Sequence, residues 1–193
     1  NKTVALAKQA PVILFTPYGY ASPDTQSQMK IIQVSPPGVR FALALILTLF
    51  AHRAEYDCIY SRDISLMVLA IPMKALGKSL IIELNGIPSL EAEIQRQARR
   101  VREPKLTPFI CGVIRLAEAF AIRCADLVCP VTEKMRNIIV RDYGADTKKV
   151  VVVPNAVDTA TFRPLGKEGA EIRRRFGIGK ETVVLYVSSF SAE

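Results

Sequence analysis

Asn85 and Gly86 end an apolar run, "SLIIELNG", that starts at Ser79. An amide at such a position can bind hydroxyls, and a glycine lets a ligand approach the backbone. The same pair suits a plain strand-to-helix turn, so both readings stand. Glu83 lies inside that apolar run, and its carboxylate needs a partner. Ligand hydroxyls would serve, but structural pairing with an arginine is the preferred reading. Arg62 and Asp63 follow another run, "CIYS", and read either as ligand contacts or as a solvated arginine and a helix cap. Thr132 and Glu133 come after "LVCPV". They combine an N-cap hydroxyl with an acid in the first helical turn, and ligand contact is their second reading. Asn155, behind four valines and a proline, reads equally as a ligand contact and as part of a stiff connector. With one histidine, His52, and no Cys-x-x-Cys spacing, a His/Cys zinc site is not expected and no metal ligands are assigned.

These residues share one position: each sits at or near the end of a short apolar run, and helical stretches separate the runs. Continuous apolar strands alternating with helices imply an α/β fold, a Rossmann-like doubly wound parallel sheet covered on both faces. Such sheets bind ligands at the carboxyl ends of their strands. Strands are expected at Pro11 to Pro17, from Lys30, at Cys58 to Arg62, Ser79 to Gly86, Leu127 to Thr132 and Val150 to Val153, the last of these buried. Between them, Gly38 to Ala54 reads as a helix apolar nearly all round, either buried or touching lipid. Ile64 to Leu76 is helical with a break at Pro72. The next helix carries Leu90, Ile94, Ala98 and Val101 on one stripe, with Arg96, Arg99, Arg100 and Arg102 mostly off it. Another should turn Val113, Leu116, Ala117, Phe120 and Cys124 inward, and a third should bury Met135, Ile138, Ile139 and Tyr143 before stopping at Gly144. Tyr18 and Tyr20 stand in a loop where they could stack on a ligand or simply face solvent. A boundary is placed after residue 160: residues 1–160 form one domain, and 161–193 are a linker and the start of a second, with a strand at Thr182 to Val187.

The net charge of +8 favours anionic partners. Nucleic acid is not expected, because no helix-turn-helix, aromatic RNA-binding strand or zinc finger is present. The arginine stripe is either a solvated helix face or a docking surface for an anionic membrane. The longest apolar run, Phe41 to Ala51, falls short of the roughly 20 residues that span a bilayer. Cys58, Cys111, Cys124 and Cys129 occupy apolar settings typical of buried reduced thiols, which points to a cytosolic chain without disulfides.

From Cys124 to Pro164 the chain reads "CADLVCPVTEKMRNIIVRDYGADTKKVVVVPNAVDTATFRP" and resembles glycosyltransferases of family 4. The matching features are Ala125-Asp126 before a strand, Thr132 at its end, Gly144 closing a helix and Lys149-Val150 before the next strand. Pro154-Asn155-Ala156-Val157-Asp158 and Phe162-Arg163-Pro164 complete the pattern. "YDCIYSRD", "SLIIELNG" with Glu91, and "TVVLYVSSFS" are similar to further segments of the family. The resemblance implies one half of a GT-B two-domain architecture, incomplete at both ends. It implies transfer of a sugar from a nucleotide-diphosphate sugar to a sugar or lipid-linked acceptor, with retained anomeric configuration. No cofactor beyond that co-substrate is implied, and usually no metal. The present half would be the acceptor side, inactive alone, with Arg62, Asn85, Gly86, Thr132, Glu133 and Asn155 as substrate-binding candidates. The family's catalytic pair of glutamates would lie past Glu193, so no catalytic residue is assigned. Localisation would be cytoplasmic, at the inner face of the membrane if the arginine stripe docks there. Two departures are visible: Asn85 stands where many members have histidine, and Ala156 where glycine is usual. A non-catalytic Rossmann-like module binding a nucleotide or an anionic polymer is the alternative.

Overall fold

The computed structural model describes residues 6–17, 29–34, 39–97, 108–164 and 167–184. Residues Asn1–Pro154 form one compact unit and Asn155–Glu193 a second.

In the first unit every strand pairing is parallel. Strands β1 (Ile13–Pro17) and β2 (Lys30–Val34) pair from Ile13↔Lys30 to Pro17↔Val34. Strands β3 (Cys58–Ser61), β4 (Ser79–Leu84) and β5 (Leu127–Pro130) form a second sheet in that order. Its registers are Cys58↔Ser79 to Ser61↔Ile82 and Ile81↔Leu127 to Leu84↔Pro130. Parallel neighbours need crossover segments, and helices lie between β3 and β4 and between β4 and β5. The described α-helices of this unit are α1 (Val39–Ala51), α2 (Ile64–Ala70), α3 (Pro88–Gln97), α4 (Pro108–Cys124) and α5 (Glu133–Tyr143). The core joins Leu80, Ile82 and Leu84 of β4 with Met67 of α2, Ile122 of α4 and Ile139 of α5. The central strand β4 is therefore the most deeply buried, and polar residues at its end are held by a rigid frame.

Local chemistry explains where the helices begin and end. Asp63 caps α2, its Oδ1 accepting from Ser65 N at 2.8 Å. Pro72 then converts the chain to a 3-10 turn, Ile71–Leu76, which Gly77 stops at φ 76°. Thr132 Oγ1 accepts from Met135 N at 3.1 Å to start α5. Gly144, at φ 71°, ends that helix, and Ala145 N donates to Ile139 O at 3.1 Å. Asp126 ties the start of β5 to β4: its Oδ2 accepts from Leu80 N at 2.9 Å and its Oδ1 from Lys74 Nζ at 2.6 Å. The Lys74 bond holds the Asp126 carboxyl below the ordinary range.

Gly144 offers a direct test of one such ending. A left-handed backbone costs a side-chain-bearing residue about 1–2 kcal/mol. A Cβ there would also meet the Arg123 guanidinium at 2.7 Å, disturbing the bond from Arg123 Nε to Tyr143 O. Gly144→Ala is therefore expected to destabilise the chain by about 2 kcal/mol in urea unfolding. A midpoint equal to that of the parent chain would contradict this.

Several expectations need correction. In α4, Val113, Leu116 and Phe120 are 52%, 70% and 54% exposed, not buried. The inward face is instead Glu118, Ala119, Ala121 and Ile122. Small alanines let the helix sit close to its neighbours, and Glu118 is drawn in by buried hydrogen-bond donors described below. Helix α1 buries Leu45 and Leu49 but leaves Leu43, Leu47 and Phe50 exposed. On α3, Leu90 packs against the core, yet Ile94 is exposed. Ala98, Val101, Arg99, Arg100, Arg102 and the side chain of Arg96 lie outside the described residues, as do Tyr18 and Tyr20.

The valine run is not a fully buried strand. Val150 bridges to Val128 and is buried, and Val151 N and Val153 N donate to Val128 O and Pro130 O at 3.0 and 2.9 Å. The chain thus lies along β5, while Val151 and Val153 are largely exposed because the core reaches only as far as Val150. All four cysteines are free, but Cys58 is exposed, since alternate residues of β3 face outward.

In the second unit, Asp158 accepts from Ala160 N and Thr161 Oγ1, each at 2.9 Å, forming a tight turn. These bonds, the Ala160 amide first, hold its carboxyl below the ordinary range. Phe162 is 69% exposed. Helix α6 (Lys167–Arg175) follows, and Arg173 Nη1 donates to Gly179 O and Glu181 O, so this arginine braces a turn rather than only facing solvent. Residues 182–184 form no strand, and 185–193 lie outside the described residues.

Candidate functional site

The carboxyl ends of β3 and β4 lie side by side, because the strands are parallel and in register. Polar residues at these ends converge on Glu83, whose side chain is only 4% exposed. Arg62 Nε approaches its Oε1 at 3.2 Å, and Asn85 Nδ2 donates to the same oxygen at 3.1 Å. The Tyr60 hydroxyl donates to Oε2. Two-residue spacing at the strand ends accounts for the convergence: Arg62, just past β3, follows Tyr60 by two, and Asn85, just past β4, follows Glu83 by two. The carboxylate is thereby paired and hydrogen-bonded, as a buried charge must be.

Electrostatics follow from this packing. Burial, then the hydrogen bond and charge of Glu83, push the Tyr60 phenol well above its ordinary range. Tyr60 is therefore a hydrogen-bond donor to Glu83 at any physiological pH. Glu83 in turn orients Arg62, whose side chain is 55% exposed and presents a guanidinium at the strand ends. A guanidinium braced on one side by a carboxylate suits recognition of phosphate or vicinal hydroxyls.

Gly86 continues from Asn85. Its missing side chain leaves space that the Glu91 carboxylate occupies, since an added Cβ would collide with Glu91 Oε1. Glu91 is exposed, so rotation about its side-chain bonds can carry this carboxylate away from the Gly86 backbone. One strand over, Val131 N donates to Leu84 O at 3.2 Å, which places Thr132 and Glu133 beside the Asn85 turn. Thr132 caps α5, and Glu133 lies 3.4 Å from Arg136 Nη1. Asp63 is used as a cap for α2. Asn155 is exposed and belongs to the second unit.

The structure thus gathers Arg62, Asn85 and Gly86, with Thr132 and Glu133 on the adjoining strand end. Two groups went unrecognised in the sequence. Tyr60 is one, although its two-residue offset from Arg62 was a usable signal. The other is a buried cluster behind the site, in which Ser89 N donates to Glu118 Oε1 at 3.0 Å, Ser89 Oγ donates to Oε2, and Ser89 Oγ lies 2.9 Å from the Tyr143 hydroxyl. Burial raises the Tyr143 phenol above its ordinary range. Arg115 stands 5.5 Å over the Tyr143 ring. This cluster locks the first turn of α3, and hence the turn holding Asn85 and Gly86, to α4 and α5. Among the described residues, no group of three or more His, Cys, Asp or Glu side chains is placed to hold a metal ion. No described helix is long and apolar enough to cross a membrane.

The family model described as Glycosyltransferase Family 4 matches residues 4–161. A curated relative, the D-inositol 3-phosphate glycosyltransferase of Kineococcus radiotolerans, is 39% identical over 70 residues, covering 36% of this chain and 16% of that protein. Among solved structures, Anabaena Alr3699/HepE in complex with UDP and glucose superposes with a TM-score of 0.60 at 16% identity, over 91% of this chain and 44% of that one. A glycosyltransferase from Rickettsia africae ESF-5 gives 0.53 at 12% identity, over 90% and 43%. The chain thus spans less than half the length of each of these proteins.

Proposed function

The chain belongs to glycosyltransferase family 4, and on that premise we propose that it forms the acceptor side of a transferase using a nucleotide-diphosphate sugar. The observation that carries this reading is the convergence of Tyr60, Arg62 and Asn85 on buried Glu83 at the carboxyl ends of β3 and β4. Parallel α/β sheets bind ligands at such ends. HepE, whose fold this chain shares, was solved with UDP and glucose, which supports a nucleotide-sugar donor.

In this reading Arg62, Asn85 and Gly86 line the acceptor pocket. Asn85 and the Gly86 backbone contact acceptor hydroxyls once the Glu91 carboxylate swings out. Thr132 and Glu133, at the start of α5, contribute the adjoining wall. The departing diphosphate gains negative charge, so basic side chains and helix N-termini stabilise it. Transfer proceeds with retention, the acceptor is a sugar or a lipid-linked sugar, and the basic chain works at an anionic membrane face.

The test uses the full-length gene product with a panel of nucleotide-diphosphate sugars, measuring binding by calorimetry and the anomeric configuration of the product by NMR. Binding and transfer with retained configuration are the expected results. Failure to bind any nucleotide sugar would remove the reading. Binding without turnover would favour a non-catalytic module, and an inverted product would strike out retention alone.

A further inference from the structure

We propose that Glu91 selects the acceptor: the group seated over Gly86 is a hydrogen-bond donor, a hydroxyl or an ammonium, and not a phosphate. The inference rests on the acceptor-side reading above and narrows its substrate class. Features at the Asn85–Gly86 turn that would hold an anion are already committed. The charge of Arg62 is matched by Glu83, whose Oε1 lies 3.2 Å from Arg62 Nε. The guanidinium keeps outward N–H groups for hydroxyls, but an incoming anion meets a cation that a carboxylate already neutralises. The start of α3, just after Gly86, would ordinarily favour negative charge through its free N–H groups. Here Pro88 brings no N–H, and Ser89 N donates to Glu118 Oε1 at 3.0 Å. Glu91 stands in the same first turn and supplies the acid that such a turn favours. An external anion thus finds its place taken by a carboxylate of the chain itself.

What the turn offers instead is an acceptor of hydrogen bonds. The Glu91 carboxylate fills the space beside the Gly86 Cα, where an added side chain would collide with it. Among the described residues it makes no hydrogen bond and no ion pair. The other acids at these strand ends are engaged: Glu83 by Tyr60, Arg62 and Asn85, Asp63 as the cap of α2, and Glu133 by Arg136 at 3.4 Å. An ionised carboxylate can only accept. A sugar hydroxyl or ammonium approaching Gly86 can therefore bond to Glu91, whereas a phosphate there is repelled. Rotation about the Glu91 side chain opens the Gly86 backbone without removing the charge from the turn. Glycine at 86 leaves the space, and the first turn of α3 returns a carboxylate to it.

NMR titration of the full-length protein with glucose, glucosamine and glucose 6-phosphate tests this. The Gly86 backbone amide and the Asn85 side-chain amide report on the turn. Below neutral pH, where glucosamine is charged, the expected order of affinity is glucosamine, then glucose, then glucose 6-phosphate. Glu91→Gln should weaken glucosamine binding about tenfold, and Glu91→Lys should place glucose 6-phosphate first. Residue 91 is exposed, so neither change removes core packing. Tightest binding of glucose 6-phosphate by the parent protein would overturn the proposal. So would an order that Glu91→Lys leaves unchanged, or no response of either amide to any probe. Calorimetry with nucleotide-diphosphate sugars is independent of these signals. Nucleotide-sugar binding without the probe order sinks the selectivity alone, and the probe order without nucleotide-sugar binding removes the transfer reading while the selectivity of the turn stands.

Discussion

Glu118→Ala is expected to destabilise the first unit by about 3 kcal/mol, a large part of the roughly 5–15 kcal/mol that stabilises a typical domain. Glu118 is 3% exposed, and both its oxygens accept from Ser89 of α3, whose hydroxyl lies 2.9 Å from that of Tyr143 on α5. The Ser89 N–H that it accepts belongs to the first turn of α3, where amides have no partner within the helix. Removing the carboxylate leaves that amide buried and unpaired. It also leaves one of two facing hydroxyls, Ser89 Oγ and Tyr143 OH, short of an acceptor. Each such loss costs about 1–3 kcal/mol, and the space left by the side chain adds to it. Glu118→Gln keeps an acceptor for Ser89 N and should cost less than half as much. Ser89→Ala should account for part of the same loss, so the double variant Glu118→Ala/Ser89→Ala should fall short of the sum. Urea unfolding of the four chains measures this directly. A Glu118→Ala cost within about 0.5 kcal/mol of zero, as for ordinary surface changes, would show that the cluster does not hold the helices together.

Features set by local chemistry were legible in the sequence. Asp63, Thr132 and Gly144 act where their types place them, because capping depends only on residues a few positions away. The parallel α/β class followed from uninterrupted apolar strands. The orientation of α4 was not legible, because a distant amide on α3 decides it. Val113, Leu116 and Phe120 form a regular apolar stripe, and sequence periodicity alone assigns such a stripe to the core. The inward face is carried by small alanines and a carboxylate whose partner, Ser89, is 29 residues away. The valine run failed for a related reason: apolar composition reports a strand, but burial depends on what covers it. At the site, the expected arginine partner of Glu83 is Arg62. Glu91 filling the space beside Gly86 was missed, since nothing in the order of residues shows how a side chain on the first turn of α3 folds back.

Glu83→Gln is expected to lower kcat/KM for nucleotide-sugar transfer by the full-length protein about 10- to 100-fold. That range corresponds to losing roughly 1.5–3 kcal/mol of hydrogen bonding to a charged group. The substitution keeps the shape of the side chain and removes its charge, so packing in β4 is preserved. Without the carboxylate, Arg62 loses the brace that aims its guanidinium, and the glutamine amide cannot accept from Tyr60, Arg62 and Asn85 together. In the proposed reading Glu83 is a positioning residue, and Arg62 is the group placed against substrate. Arg62→Ala should therefore produce a loss of similar size, while Glu83→Gln/Arg62→Ala should be little worse than Arg62→Ala alone. Additive losses would mean that the two side chains work separately. A merely structural role for Glu83 would lower the unfolding midpoint and leave kcat/KM of the folded enzyme unchanged, so thermal unfolding and initial rates on the same preparations separate the two. Rescue should also discriminate: Glu83→Asp retains the charge but shortens the reach to Arg62, and it should recover more activity than Glu83→Gln only if the aimed guanidinium is what the reaction uses.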